Sequence, residues 1–355
     1  MPAPRPPGIR DVADAAGVSP TTVSHALNGK GRIAPETRAR VIEAAERLGY
    51  VPNRNARNLV RGRQGAVALR IAGNVEGSPE FTNWDVEYFM RLVTGAFGAA
   101  NESNLQLVFR SFDEGSEFKL TDTGETGESS AAESVEGLIV VDPPPDLRLG
   151  SEFDGLPFVT TGRIPASDED PEPDNPYWVD NDNVAATMTL LDHMADQGAK
   201  SIALITPTPV ASVTVDCERA YAEWARERGQ QPSVELAEYG IGETAGHHAA
   251  TQLLDGSDPP DAILSTMQGL AIGALFAVRE KGLEVPKDMM IAAFCNGLGG
   301  AGNFASITAM DLSPELIGSR AMRLIADLID GSDPEEPQVI VPTELMVRNS
   351  TLRKG

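Results

Sequence analysis

Residues 9–61 read IRDVADAAGVSPTTVSHALNGKGRIAPETRARVIEAAERLGYVPNRNARNLVR. The apolar positions within 11–16 predict a first short helix, and Gly17 then supplies a left-handed turn position at no steric cost. Ser19 is a preferred N-cap residue, so a second helix is expected over residues 20–27. Two short helices joined by a tight turn that contains glycine are typical of a helix-turn-helix.

A longer helix follows this pair. Pro35 and Glu36 suit its first turn, and Gly49 suits its end. The residues expected to face the small core are Val23, Ala26 and Leu27 of the second helix and Val41, Ile42, Ala45 and Leu48 of the third. The second helix then presents a polar outer face made of Pro20, Thr21, Thr22, Ser24 and His25.

The distribution of formal charge separates the segment that contains these helices from the rest of the chain. Residues 1–65 carry 11 Lys and Arg against 5 Asp and Glu, a net charge of +6. The other 290 residues carry 18 basic and 47 acidic side chains, a net charge of −29. A basic head joined to an acidic body predicts a small polyanion-binding module attached to a different domain.

Residues 9–61 resemble the DNA-binding head and hinge of the LacI/GalR family of bacterial transcriptional regulators. The resemblance implies that residues 20–27 form a recognition helix in the major groove of double-stranded DNA. His25 stands where the family usually has Arg, which changes the expected hydrogen bonds to the base. The DNA-contacting residues that the resemblance implies are Arg10, Ser19, Pro20, Thr21, Thr22, Ser24, His25, Asn28, Asn53, Arg54, Ala56, Arg57 and Leu59.

Residues 53–61 resemble the hinge helix of the family, which folds when two copies meet over the operator centre. Nine residues are too few to form a helix alone in water, so folding on binding is physically sensible. Leu59 matches the residue that wedges between bases from the minor groove, although it could also be an ordinary apolar linker residue. The resemblance implies a homodimer on a pseudo-palindromic operator.

From residue 66 onward, apolar runs alternate with helical segments. The predicted strands span residues 66–72, 105–110, 137–141, 158–161, 201–205, 262–265, 289–294 and 307–310. The predicted helices span residues 87–102, 183–197, 216–229, 243–254, 269–281 and 314–329. Strands that alternate with helices predict parallel sheets with crossover connections.

The predicted fold class is α/β, with an all-helical helix-turn-helix head and a body of two lobes. The body resembles periplasmic binding proteins, whose parallel sheets are flanked by helices and close around a small ligand. The expected boundaries are a head at 1–52, a hinge helix and linker at 53–65, a first lobe at 66–176 completed by about 309–336, and a second lobe at 177–308 completed by about 337–355. Within the first lobe, the resemblance implies a helix in residues 113–134. The composition of this stretch, with three Gly and many Ser and Thr, instead predicts a frayed or partly disordered segment.

The resemblance places an effector in the cleft between the lobes. The implied contact residues are Phe89, Asp113, Arg163, Asp180, Cys217, Arg219, Gln268, Cys295 and Asn296. Cys217 stands where the family usually has a ligand-binding Arg, although a two-residue shift of the alignment would give that role to Arg219. Cys217 and Cys295 could also face each other as a redox pair.

Further departures affect the expected ligand. Thr266-Met267-Gln268 replaces the usual Asn-Asp, and Phe294-Cys295 replaces the usual Phe-Asp. Losing these groups leaves sugar hydroxyls unpaired, at about 1–3 kcal/mol each. We therefore expect an effector that is not an ordinary sugar, or none. The alternative is a sugar held by other groups, such as Gln268, Asn296 and Arg163.

The sequence predicts an effector-controlled transcriptional regulator, acting as a repressor. The alternative is a cytoplasmic small-molecule-binding protein without gene regulation. We expect no catalytic site, no metal and no cofactor. The histidines lack the spacing of metal ligands. Residues 297–302 (GLGGAG) fit the dinucleotide-binding motif GxGxxG, but they lead into a strand, whereas that motif needs a helix to begin there. The start of the chain has no signal-peptide core and no stretch is long enough to span a membrane, so a cytoplasmic location without membrane contact is expected.

Overall fold

The structure is a computed structural model of the 355-residue chain. It describes residues 9–27, 33–48, 65–71, 86–110, 135–145, 147, 155–166, 176–208, 211–237, 242–294 and 307–353. The chain separates into two compact units, Met1–Arg63 and Gln64–Gly355.

The first unit contains three helices: α1 (Ile9–Ala16), α2 (Pro20–Leu27) and α3 (Pro35–Leu48). The predicted bounds of α2 are confirmed, and α1 begins two residues earlier than expected. Gly17 has a φ of 65°, as its turn position requires. The Ser19 hydroxyl accepts a hydrogen bond from the Thr22 backbone N–H at 3.1 Å, which confirms Ser19 as the N-cap of α2.

The core of this head is built from small apolar side chains on all three helices. Its buried members are Val12, Ala13, Ala16, Val23, Ala26, Val41, Ala44 and Ala45. The expectation that Ile42 and Leu48 face inward is wrong, because they are 41% and 37% exposed. Each helical residue turns about 100°, so the face that buries Val41 also buries Ala44 and Ala45 and leaves Ile42 outside.

The second unit alternates strands with helices. Its strands are β1 (Ala66–Ile71), β2 (Gln106–Arg110), β3 (Val135–Val141), β4 (Phe158–Thr161), β5 (Trp178–Asn181), β6 (Ile202–Thr206), β7 (Val234–Leu236), β8 (Ala262–Ser265), β9 (Met290–Phe294), β10 (Thr308–Asp311), β11 (Gln338–Val341) and β12 (Glu344–Met346). Its helices are α4 (Val86–Ser103), α5 (Asn183–Asp196), α6 (Ser212–Glu227), α7 (Glu243–Asp255), α8 (Gln268–Glu280) and α9 (Pro314–Ile329).

The described strands form two six-stranded sheets, one in each lobe. The first has the order β11-β5-β4-β3-β1-β2 and the second β12-β10-β9-β8-β6-β7. Neighbouring strands are parallel, except that β12 runs antiparallel to β10. Helices α4 and α9 contact the first sheet, and α5 to α8 contact the second. The predicted architecture of two parallel sheets flanked by helices is confirmed.

The predicted division between the lobes requires correction. Strands β5 and β11, which the boundaries at 176 and 336 assigned to the second lobe, lie in the first sheet, where they pair in parallel from Trp178–Gln338 to Asn181–Val341. Neither strand was predicted, because each has four residues and no long apolar run. The first lobe therefore extends to Asn181, and its second segment extends to Val341.

Helix α6 also begins earlier than expected, at Ser212 instead of residue 216. The Thr214 hydroxyl bonds the backbone N–H of Ala211 at 3.3 Å and its carbonyl at 3.0 Å, which caps the helix before the β-branched run. The predictions for residues 113–134 and 297–302 fall outside the described residues.

Helices α4 and α9 of the first lobe pack unusually close together. A Cβ added to Gly95 of α4 would lie 1.9 Å from the carbonyl oxygen of Glu315, and one added to Gly318 of α9 would lie 2.0 Å from that of Leu92. Each glycine thus admits the backbone of the other helix. Gly98, one turn further along α4, would meet nothing within 4 Å.

We predict that Gly95→Ala destabilises the second unit by about 1–3 kcal/mol, because its methyl group forces the two backbones apart. Gly98→Ala is the matched control and should be neutral or stabilising by up to about 1 kcal/mol, since alanine favours the helix. Urea denaturation followed by circular dichroism measures both. Equal stabilities for the two variants would contradict the close crossing.

Candidate DNA-contact helix and inter-lobe cleft

The N-terminal half of α2 lies on the surface of the head. Ser19, Pro20 and Thr21 are exposed, whereas Val23 and Ala26 are buried on the opposite side of the helix. The Ser19 and Thr22 hydroxyl oxygens lie 2.8 Å apart. Helix N-termini present free backbone N–H groups and a positive dipole end, which suit a phosphate. This surface can therefore meet both a backbone phosphate and the edge of a base.

The other predicted DNA contacts are described less completely. Arg10 is exposed on α1. Ser24 and His25 lie within α2, and the structure does not describe their side chains. The predicted contacts outside the described residues are Asn28, Asn53, Arg54, Ala56, Arg57 and Leu59.

In the second unit, one side chain joins three crossings of the chain between the lobes. The crossings lie between β5 and α5, between β10 and α9, and between β11 and β12. Asn181 stands at the first of them and is buried. Its amide Nδ2 donates to the carbonyl of Leu312 at 3.1 Å, in the second crossing, and to that of Val341 at 2.8 Å, in the third. The crossings are thus held at a fixed spacing.

Asp180, the residue before Asn181, is a buried hydrogen-bond acceptor at the carboxyl end of β5. Its Oδ2 accepts from the backbone N–H of Arg163 at 3.1 Å and from Arg163 Nε at 3.0 Å. Its Oδ1 accepts from the Asn181 backbone N–H at 2.7 Å and from Asn183 Nδ2 at 3.2 Å. The predicted cleft residues Arg163 and Asp180 are therefore bonded to each other.

Arg163 also reaches across the cleft. Its Nη2 donates to Oδ2 of Asp216, which lies on α6 of the second lobe. Asp216 is buried, and its other oxygen accepts from Nη2 of the exposed Arg219 at 2.8 Å. Partial burial disfavours the charged guanidinium, but the hydrogen bonds to Asp180 and Asp216 raise the pKa of Arg163 above its usual value.

Asp142 follows β3 at the same end of the first sheet. Its φ is 47°, and its backbone N–H donates to the carbonyl of Thr161 at 2.8 Å. Burial of the carboxyl group, followed by the negative charge of Asp180, raises the pKa of Asp142 to about 7. Near neutral pH, Asp142 can thus either donate or accept a hydrogen bond.

Two predicted effector contacts are buried in the apolar clusters of the lobes. Phe89 is buried in the core of the first lobe, with its ring edge-to-face to Phe109 at 6.0 Å. Cys217 is fully buried in the core of the second lobe, where Thr187 Oγ1 donates to its Sγ at 3.2 Å. Burial raises the pKa of Cys217 to about 12, so its thiol stays protonated.

Of the remaining predicted effector contacts, the structure describes one and leaves three outside the described residues. Gln268 is half-buried as the first residue of α8, and Asp113, Cys295 and Asn296 lie outside the described residues. Sequence reasoning missed Asp142 and Asp216. Asp142 follows an apolar strand, and ligands bind beyond the carboxyl ends of parallel strands, so this signal could have found it. Attention to Cys217 obscured its neighbour Asp216.

The described ranges contain neither a membrane-spanning helix nor a cluster of metal-binding side chains. None of their helices combines the length and the apolar character that a membrane span requires. No group of three or more His, Cys, Asp or Glu side chains in those ranges is arranged to hold a metal ion.

Family models match two parts of the chain. Residues 8–53 match the model of bacterial regulatory proteins of the lacI family. Residues 191–351 match the model of the periplasmic binding protein-like domain. The first range covers the head, and the second covers most of the second lobe and the end of the first.

Relatives match along the whole chain. The HTH-type transcriptional regulator CelR of Thermobifida fusca is 28% identical over 349 residues, which cover 98% of each chain. Catabolite control protein A of Staphylococcus xylosus is 27% identical over 353 residues, 97% of this chain and 98% of that one.

Solved structures agree with these matches. A complex of the transcriptional regulator CelR with cellobiose has a TM-score of 0.66 and 26% identity and covers 97% of this chain and 99% of that chain. A lac repressor dimer bound to operator and the anti-inducer ONPF has a TM-score of 0.63 over 98% of this chain and 100% of that chain. Its identity is 20%, so it supports the fold alone.

The relatives named here are regulators, and no enzyme family is indicated. A head of the regulatory type and a binding-protein body occur in one chain, which decides against a binding protein without gene regulation. The chain belongs to the lacI family of bacterial regulatory proteins and is a DNA-binding transcriptional regulator with an effector-binding body.

Proposed function

We propose that the protein represses transcription by binding a pseudo-palindromic operator as a homodimer, and that a polar small molecule in the inter-lobe cleft controls operator affinity. The observation that carries this proposal is the exposed polar face of α2, which a buried apolar face fixes to the head. Regulation follows from the two-lobed body, whose cleft contains charged groups from both lobes.

The head supplies sequence recognition in this proposal. Pro20 and Thr21 are exposed near the start of α2, and the helix contains no acidic residue that would repel the DNA backbone. Residues 1–65 carry a net charge of +6, whereas the rest of the chain carries −29. Repulsion between the acidic body and phosphates favours contact through the head. The roles of residues 53–59 as hinge contacts are proposed from the sequence.

An exposed apolar face on the first lobe supports the homodimer. Met90 and Phe97 lie two turns apart on α4, on one face, and are 54% and 57% exposed. Phe109 on the edge strand β2 is 54% exposed. Burying these side chains against the same face of a second copy would remove apolar surface from water. Two heads would then meet the two halves of a symmetric operator.

The cleft groups support a polar effector. Arg163, Asp180 and Asp216 occupy the described part of the cleft, and Asp142 offers a carboxyl group there. Cys217 is fully buried, so its thiol exposes no surface to a ligand. The similar CelR structure contains cellobiose, so this disaccharide is the first ligand to test, beside nucleosides and aromatic metabolites. A ligand that binds should raise the melting temperature by mass action.

We predict that selection from random duplexes recovers a two-fold symmetric site and that affinity for this site falls about 1,000-fold between 50 and 200 mM salt. Fluorescence anisotropy measures both specific and non-specific binding. Thr21→Ala should weaken binding to the selected site more than to random duplex, because Thr21 faces base edges in the proposal. The exposed α3 variant Ala39→Ser is the matched control and should retain the preference. Recovery of no symmetric site would contradict the function.

The dimer face gives a second prediction. Phe97→Glu should convert the protein to monomers in sedimentation and weaken operator binding at least tenfold, because a charge cannot be buried in an apolar interface without a large cost. Ile340→Glu is the control, since Ile340 is 52% exposed on β11, at the opposite edge of the same sheet. A Phe97→Glu protein that remains dimeric would exclude this face.

Asp142 gives a pH prediction. Its pKa is raised from 3.8 to about 7 in the folded chain, so the folded state binds more protons than the unfolded state between these values. Its contribution to stability is therefore full below about pH 4 and is lost as the pH rises towards 7. Relative to Asp142→Asn, the wild type should lose up to about 2 kcal/mol over this range, since the residue keeps some solvent contact.

Urea denaturation at pH 4.5 and pH 8 measures this difference. Asp258→Asn, at an exposed position of the second lobe, is the control and should follow the wild type at both pH values. The same pH dependence in wild type and Asp142→Asn would show that the Asp142 carboxyl group is not buried as described.

A further inference from the structure

The Arg163 side chain connects charged groups of the two lobes. It follows Gly162 at the end of β4, in the first lobe, and its Nε bonds Asp180 of the same lobe at 3.0 Å. Its Nη2 bonds Asp216 on α6, in the second lobe. One guanidinium group thus binds a carboxylate on each side of the cleft.

The backbones also approach closely at this point. Gly162 has a φ of 95°, a conformation that other residues rarely adopt. A Cβ placed on it would lie 3.0 Å from the Ser212 hydroxyl oxygen, at the start of α6. The two lobes are therefore in contact around Gly162 and Arg163.

The ion pair between Arg163 and Asp216 can break without leaving a charge alone. If the lobes separate, Arg163 keeps Asp180, to which it makes two hydrogen bonds. Asp216 keeps Arg219, which lies three residues further along the same helix and is exposed enough to follow it. A buried ion pair usually costs several kcal/mol to break because one partner loses its counter-charge. Here each partner retains one, which lowers that cost.

We propose that the Arg163–Asp216 ion pair is a reversible clasp that keeps the inter-lobe cleft closed when no effector is bound. In this proposal an effector must compete for Arg163 or Asp216 to enter the cleft. The proposal deepens the proposed function, on which it rests for the presence of an effector in this cleft. The clasp itself concerns the lobes and can be measured without DNA.

The experiment is a double electron–electron resonance measurement on the full chain, free of DNA and small molecules. Spin labels are attached at Arg320→Cys on α9 and Gln252→Cys on α7, two exposed positions on different lobes. The background carries Cys295→Ser, and the fully buried Cys217 resists labelling. Labelled chains are diluted with unlabelled chains, so that distances within one chain are recorded.

In the chain with Arg163 and Asp216 unchanged, the clasp predicts one main distance between the two spin labels. Asp216→Asn should add a longer population of at least a fifth of the molecules, because it removes the charge that Arg163 holds across the cleft. Glu102→Gln is the matched control: it removes the Arg323–Glu102 ion pair, which lies within the first lobe, and should leave the distances unchanged.

Arg163→Gln removes the first-lobe partner of the same ion pair. This second variant shows whether an effect of Asp216→Asn comes from the lost ion pair or from a folding defect of that variant. A longer population in both variants, with native circular dichroism, supports the proposal. Unchanged distances in both folded variants would overturn it. Because the readout uses neither operator nor ligand, a failure of operator binding would contradict the proposed function without changing this result.

Discussion

The body of this protein depends on keeping three chain crossings together between two separately packed lobes. Each lobe has its own parallel sheet and its own apolar core, and the three crossings join the lobes through the chain itself. Asn181 ties the first crossing to the other two through its buried amide. Because buried carbonyl groups are costly to leave unpaired, this amide fixes their spacing. The cleft charges begin at the next residue, Asp180, so a ligand there acts directly beside the crossings.

The arrangement of charges explains how such a joint can be both specific and movable. Asp180 uses both of its oxygens within the first lobe and at the crossing, which makes it part of the fixed framework. Asp216 forms ion pairs with Arg163 of the first lobe and with Arg219 of its own lobe, the second. It can therefore give up Arg163 and still keep a counter-charge. In the proposed clasp, the lobes separate through exchange of the ion pairs of Asp216, without a large change in buried apolar surface.

Much of the fold could be predicted from the sequence, because long apolar runs and strong caps report burial directly. Ser19 with Pro20 marked α2, and strands such as β9 were apolar throughout. Short strands such as β5 and β11 escaped because four residues carry too little periodic signal, and their place depends on pairing with neighbouring strands. The site was harder: Cys217 and Phe89 match cleft positions along the chain but point into cores, and helix rotation and packing decide that direction. Asp142 and Asp216 became visible through their neighbours in the folded chain, Asp180 for the first and Arg163 for the second.

The central claim is that occupancy of the cleft and binding of the operator are coupled through one chain. Binding free energies require this coupling to be reciprocal. The most direct test is titration calorimetry of a ligand found by the melting-temperature screen, performed with the full-length protein alone and with saturating operator. The account predicts that the operator changes the ligand dissociation constant by at least fivefold, and that the ligand changes the operator dissociation constant by the same factor. A ligand that binds equally well with and without operator would contradict the account.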